Sequence, residues 1–150
     1  MRRFVFIRSF IVGLVCTLIL SFSFFIVLSK TQDNGYHTTI EGFLHTVNET
    51  YAFSDNYQKD VDYLQDISTD KYRVTLISPK GVVLADSAHE GITENHSDRE
   101  EIKDAKKKGE GYIIRNSSTL KEKVMYGAMV LKNKNILRVM VPMGCLLYTS

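Results

Sequence analysis

The chain has 150 residues, a formal net charge of +2 and 44% hydrophobic residues, with only two Cys. Two cysteines cannot build a disulfide framework or a zinc site, which excludes a small secreted scaffold that depends on bridges. All 17 acids, and every base except Arg2, Arg3 and Arg8, lie beyond residue 28. The positive excess therefore belongs to the N-terminus and is no footprint of nucleic-acid binding.

Phe10 to Leu28 is a run of 19 residues without a charge. As a helix it is about 28 Å long, close to the hydrocarbon thickness of a bilayer. The sequence predicts one transmembrane helix over 10–28, with Lys30 at its far interface. Three arginines before the run and one lysine after it predict a cytoplasmic N-terminus, residues 1–9, and export of residues 30–150. A cleaved signal peptide is the rival reading, but the run exceeds the usual apolar core and no small-x-small site ends it.

Beyond the polar stretch Thr31–Gly35, Ile40, Phe43, Leu44, Val47 and Tyr51 recur at steps of three and four, an amphipathic helix. Ser54 and Asp55 can cap a second run with Tyr57, Val61, Leu64 and Ile67 on one face. Two helices and one kinked rod remain equal alternatives. Tyr72–Ser78 and Val82–Ser87 are dense in β-formers around Pro79-Lys80-Gly81 and predict a hairpin. Their weak polar alternation predicts strands inside the sheet, covered on both faces. Ser97 and Glu100 have capping-box spacing, so a short helix is expected from Asp98 to about Lys108, stopped by Gly109. Its first turn is acidic and its last holds Lys106, Lys107 and Lys108, which suits the helix dipole. Three strands follow at Gly111–Ser117, Lys123–Leu131 and Ile136–Val141, the last two joined by Lys132-Asn133-Lys134-Asn135. This order predicts an α+β domain whose antiparallel sheet packs on its N-terminal helix. The tail, 143–150, is set apart as truncated and foreign to the domain.

No motif for a nucleotide, a catalytic triad or a helical metal site is present. None of His37, His45, His89 and His96 pairs with another at i, i+4, and no metal site is expected. What remains is a pocket to which Asp86, Ser87, His89, His96, Arg99 and Arg115 can contribute. Arg115 follows Tyr-Ile-Ile in a strand, and a guanidinium there suits a carboxylate or phosphate ligand. The structural alternative has Asp86 capping the loop, with Arg99 or Arg115 paired to it.

The blocks Arg73–Ser87, Glu94–Ile102 and Gly109-Glu110-Gly111, behind one membrane helix, resemble the extracytoplasmic sensor region of bacterial membrane histidine kinases, especially the phosphate-regulon sensor kinase type. The resemblance runs from the anchor to about Pro142. It implies a PAS-like (single-Cache) domain over 29–142 with a five-stranded antiparallel sheet on a long N-terminal helix, a homodimer in the cell membrane, and a signal passed inward. It further implies a second membrane helix, an autokinase using ATP and Mg, and a cognate response regulator, all outside this sequence. No cofactor is expected within these residues and no nucleic-acid partner. A chemoreceptor with the same outer domain and a tethered cell-envelope binding module are the alternatives.

Overall fold

The structure, a computed structural model, describes residues 2–51, 57–69, 72–88, 94–117 and 122–144. The chain forms two units, 1–35 and 36–150. Helix α1 (Arg2–Thr50) supplies all the described residues of the first. There the large apolar side chains from Phe10 to Leu28 are each exposed by 47% or more. A helix apolar on every side finds its solvent in lipid rather than water. It is the one helix, among the described residues, long and apolar enough to cross a membrane.

The second unit contains helix α2 (Tyr57–Ile67) and a five-stranded sheet, β1 (Arg73–Ile77), β2 (Val83–Asp86), β3 (Glu110–Asn116), β4 (Lys123–Val130) and β5 (Ile136–Pro142), with helix α3 (Glu100–Lys108) between β2 and β3. The order across the sheet is β2-β1-β5-β4-β3 and all four pairings are antiparallel. This is the α+β arrangement that the periodicities predict. Strand side chains alternate between faces. One set (Val74, Leu76, Ala85, Met125, Met129, Leu137, Val139, Val141) packs with Tyr36, Ile40, Leu44 and Val47 of α1 and Val61 and Leu64 of α2 as the main core. Each Val, Leu, Ile or Met side chain among these, fully buried, contributes about 1.5–3 kcal/mol. The other set forms a smaller core in which Ile77, Val83, Ala128 and Ile136 meet Ile102 and Ala105 of α3.

Two expectations require correction. β2 is an edge strand, not an interior one, and Leu84 is 37% exposed. A continuous apolar run does not distinguish a strand with two neighbours from one at the rim. Gly81, at φ 92, closes the hairpin, and its carbonyl accepts the His96 N–H at 2.7 Å while Val83 donates to the Glu94 carbonyl at 3.0 Å. The returning chain thus covers the start of the exposed edge.

The capping box does not form. α3 starts at Glu100 with Arg99 as its N-cap, and no side chain caps it. Ser97 instead donates its N–H to Asn95 Oδ1 at 2.8 Å, and Arg99 donates to the His96 carbonyl at 3.1 Å, so a turn occupies the residues expected to open the helix. Glu100→Ala should accordingly shift unfolding free energy by less than about 0.5 kcal/mol, as for an ordinary surface site. A urea titration distinguishes that from the ~1 kcal/mol loss a working cap would give. The C-terminal stop is as expected, with Gly109 donating to the Ala105 carbonyl at 2.8 Å. Ser54, Asp55 and the tail from Cys145 lie outside the described residues.

Candidate functional site: an arginine-lined cavity on the sheet

α3 covers only part of the sheet face opposite α1. The rest of that face carries Arg73 and Thr75 from β1, Arg138 and Met140 from β5, Tyr126 from β4 and Arg115 from β3. The register aligns them, with Arg73 opposite Met140, Thr75 opposite Arg138 and Tyr126 opposite Met140. Together with Glu94, His96 and Arg99, these strands line a cavity of about 390 Å³.

Behind two of the lining arginines lies Glu101, fully buried in the first turn of α3. Its Oε1 accepts from Arg138 Nε at 2.9 Å and lies 3.5 Å from Arg115 Nη2. Both guanidiniums sit over the Tyr126 ring, at 4.0 Å for Arg115 and 4.3 Å for Arg138. The ring face attracts cations, so one aromatic and one carboxylate hold two like charges together. Burial lowers the Arg138 pKa from the ordinary guanidinium value, and the Glu101 charge opposes that shift. Glu101 Oε2 and His96 Nδ1 are buried and have no hydrogen-bond partner among the described residues. His96 Nε2 lies 3.0 Å from Glu94 Oε2, and this hydrogen bond is the main reason the exposed Glu94 carboxyl titrates below its ordinary range.

Of the residues singled out from sequence, His96, Arg99 and Arg115 meet in this cavity. Asp86 does not line it. It is buried beneath the sheet edge, accepting from Arg73 Nε at 3.0 Å, Thr75 Oγ1 at 2.8 Å and the Ala88 N–H at 2.9 Å. Its partner is thus Arg73, not Arg99 or Arg115. Ser87 continues the β1–β2 pairing, its Oγ accepting from the Val74 N–H at 3.0 Å, and it borders a neighbouring cavity of about 420 Å³ that shares Arg73 and Met140. His89 lies outside the described residues. Sequence reasoning missed Arg73, Glu101, Tyr126 and Arg138. The available signal was Arg138 itself, a charge inside Ile-Leu-Arg-Val-Met-Val.

No family model matches the chain, and no curated protein matches it. Its fold is shared with solved extracellular domains. The extracellular domain of rpHK1S-Z16, a protein assigned as a histidine kinase, superposes with a TM-score of 0.50 at 9% identity, over 63% of this chain and 41% of that one. That of mmHK1S-Z2, assigned likewise, gives 0.50 at 22% identity, over 61% and 38%. The chain thus spans about two fifths of the length of these domains, and at such identities the likeness is one of fold.

Proposed function

We propose that this chain is the anchoring and sensing part of a transmembrane signalling protein, with residues 10–28 in the bilayer, the N-terminus in the cytoplasm and residues 30–150 outside, where the domain over 29–142 is a receptor for a small anion. The observation that carries the reading is the cavity. Four guanidiniums, from Arg73, Arg99, Arg115 and Arg138, line it with one carboxylate, Glu94, while Asp86 and Glu101 are buried outside its lining. Two of those arginines are committed to buried acids. Among the described residues Arg99 forms no salt bridge, and the one salt bridge of Arg115 is the long contact to Glu101. A ligand carboxylate or phosphate bridging Arg99 and Arg115 supplies the missing acceptor, with His96 Nδ1 as a further polar contact.

The family reading rests on the three sequence blocks together with the shared fold. It makes the output a cytoplasmic histidine autokinase acting on a response regulator, with ATP and Mg bound in that missing part and a homodimer carrying the signal through the membrane helices. The finer assignments, a PAS-like single-Cache domain and the phosphate-regulon type, rest on those blocks alone.

The test is calorimetric titration of the full chain in lipid nanodiscs with phosphate, acetate and dicarboxylates. Saturable binding of at least one anion is expected. Each charge-assisted hydrogen bond is worth about 1.5–3 kcal/mol, so Arg115→Ala should weaken that binding about 10- to 100-fold. Arg115→Lys should recover little, because a point charge does not replace a planar fork. Binding that survives combined loss of Arg99 and Arg115 would falsify the assignment of the cavity.

A further inference from the structure

A second cluster of ionisable side chains lies on the opposite face of the sheet from the arginine cavity. Along α1, His37, Glu41 and His45 follow one another at steps of four, which stacks them on one helical face. Glu110, the first residue of β3, has its side chain on that same side, since residues 110, 112 and 114 alternate away from the face that holds Arg115. His45 Nε2 lies 3.8 Å from Glu110 Oε2 and His37 Nδ1 lies 3.6 Å from Glu41 Oε2. One ligand atom from each of Glu41, His45 and Glu110 falls within 4.8 Å of the other two.

This juxtaposition needs explaining, because two carboxylates repel. Among the described residues their ion pairs are to the two histidines only, with no Lys or Arg between them. Tyr112 Oη donates to Glu110 Oε2 at 3.0 Å, which orients that carboxylate, and the Tyr112 ring packs on His37 at 4.1 Å.

The geometry points to a divalent transition-metal site of the zinc class, formed by Glu41, His45 and Glu110. A tetrahedral ion with ligand distances of about 2.0–2.2 Å holds its donors about 3.4 Å apart. The observed separations therefore close with small rotations of side chains that are 40–58% exposed. Two carboxylates and a neutral imidazole balance the dication. Imidazole among the donors selects zinc or copper over magnesium and calcium, which prefer oxygen ligands alone. His37 then acts on the Glu41 carboxylate from outside the coordination sphere, or takes the fourth position in place of water. Since Glu41 and His45 belong to a helix and Glu110 to a strand, the ion would tie α1 to the sheet edge. Binding of the ion stands independently of what the arginine cavity recognises.

The experiment uses the full chain, stripped with a chelator and held in nanodiscs, titrated with Zn²⁺ in the presence of excess Mg²⁺. One ion per chain and a raised unfolding temperature are expected, with a four- or five-coordinate visible spectrum when Co²⁺ is substituted. His45→Ala and Glu110→Gln should each weaken binding ~100-fold, whereas His37→Ala, acting from the outer sphere, should weaken it about tenfold. These side chains are half exposed, so circular dichroism of the variants should match the parent. His96→Ala, on the other face of the sheet, should leave the zinc affinity unchanged. The site is overturned by absence of saturable binding, by Mg²⁺ competing on equal terms, or by stoichiometric binding that survives both His45→Ala and Glu110→Gln.

Discussion

Arg138→Ala should destabilise the domain by about 3–5 kcal/mol, because it leaves the Glu101 carboxylate buried without its charged partner. Glu101 is fully buried, and its short contact is the 2.9 Å hydrogen bond from Arg138. Arg115 approaches the same oxygen at 3.5 Å but is 30% exposed, and cannot replace it. Set against a typical total stability of about 5–15 kcal/mol, the loss is large. At roughly 4 °C per kcal/mol it lowers the unfolding temperature by about 12–20 °C. The chain has no Trp, and all eight Tyr lie at or beyond Tyr36, so tyrosine near-ultraviolet dichroism reports the melt of the folded domain rather than of the apolar helix segment before it. Arg115→Ala should cost less than half as much. The decisive comparison is Arg138→Met combined with Glu101→Leu, since replacing both members of a buried pair by apolar groups of similar volume is often neutral or stabilising. If the double variant is no better than Arg138→Ala, the loss is one of packing and not of an orphaned charge.

The same network shows where reading the sequence stopped. The apolar periodicity gives the face of α2 that holds Tyr57, Val61, Leu64 and Ile67, and each strand within a residue or two, because those elements are defined by which side chains they bury. The edge position of β2 was invisible, since strand order follows from long-range pairing. The capping box failed because two residues with suitable spacing do not specify where the helix begins. In the site, Arg115 is legible as a charge in an apolar strand, and Arg138 carries the same signal. Asp86 stands near the end of its predicted strand, and the structure explains its chemistry by Arg73 and Thr75, its neighbours across the β1–β2 pair. Glu101 read as one acid among three in a first helical turn, favourable to the dipole. Its burial depends on α3 lying flat on the sheet, which no local pattern records. His37 and His45 looked unrelated for a like reason, as eight residues separate them and the residue that joins them to a cluster, Glu110, comes from a strand.

That close approach of α3 has its own test at Gly111, where even a methyl group should cost about 3 kcal/mol, the upper end for overpacking a filled site. A Cβ at Gly111 would collide with the Glu101 carbonyl oxygen, and would lie 2.7 Å from Asp104 Cβ and 2.9 Å from the Ala105 nitrogen. These are backbone or near-backbone atoms and no rotamer change removes them. The helix itself has to lift, carrying Glu101 away from Arg138 and Arg115. Gly111→Ala should therefore lower both the unfolding temperature and the affinity of the arginine cavity for its anion, although residue 111 does not line it. Gly127 supplies the contrast, on the other face of the neighbouring strand. There a Cβ meets Ile40 Cγ2 and the edge of the Tyr112 ring at 3.1 Å, all side-chain atoms. Adding Ile40→Ala should recover part of the loss caused by Gly127→Ala, as it vacates the space the new methyl needs. No comparable rescue exists for Gly111, since trimming Asp104 leaves the two backbone contacts in place. Should Gly111→Ala melt within 1 kcal/mol of the parent and bind its anion unchanged, α3 does not rest on the sheet as closely as this packing requires.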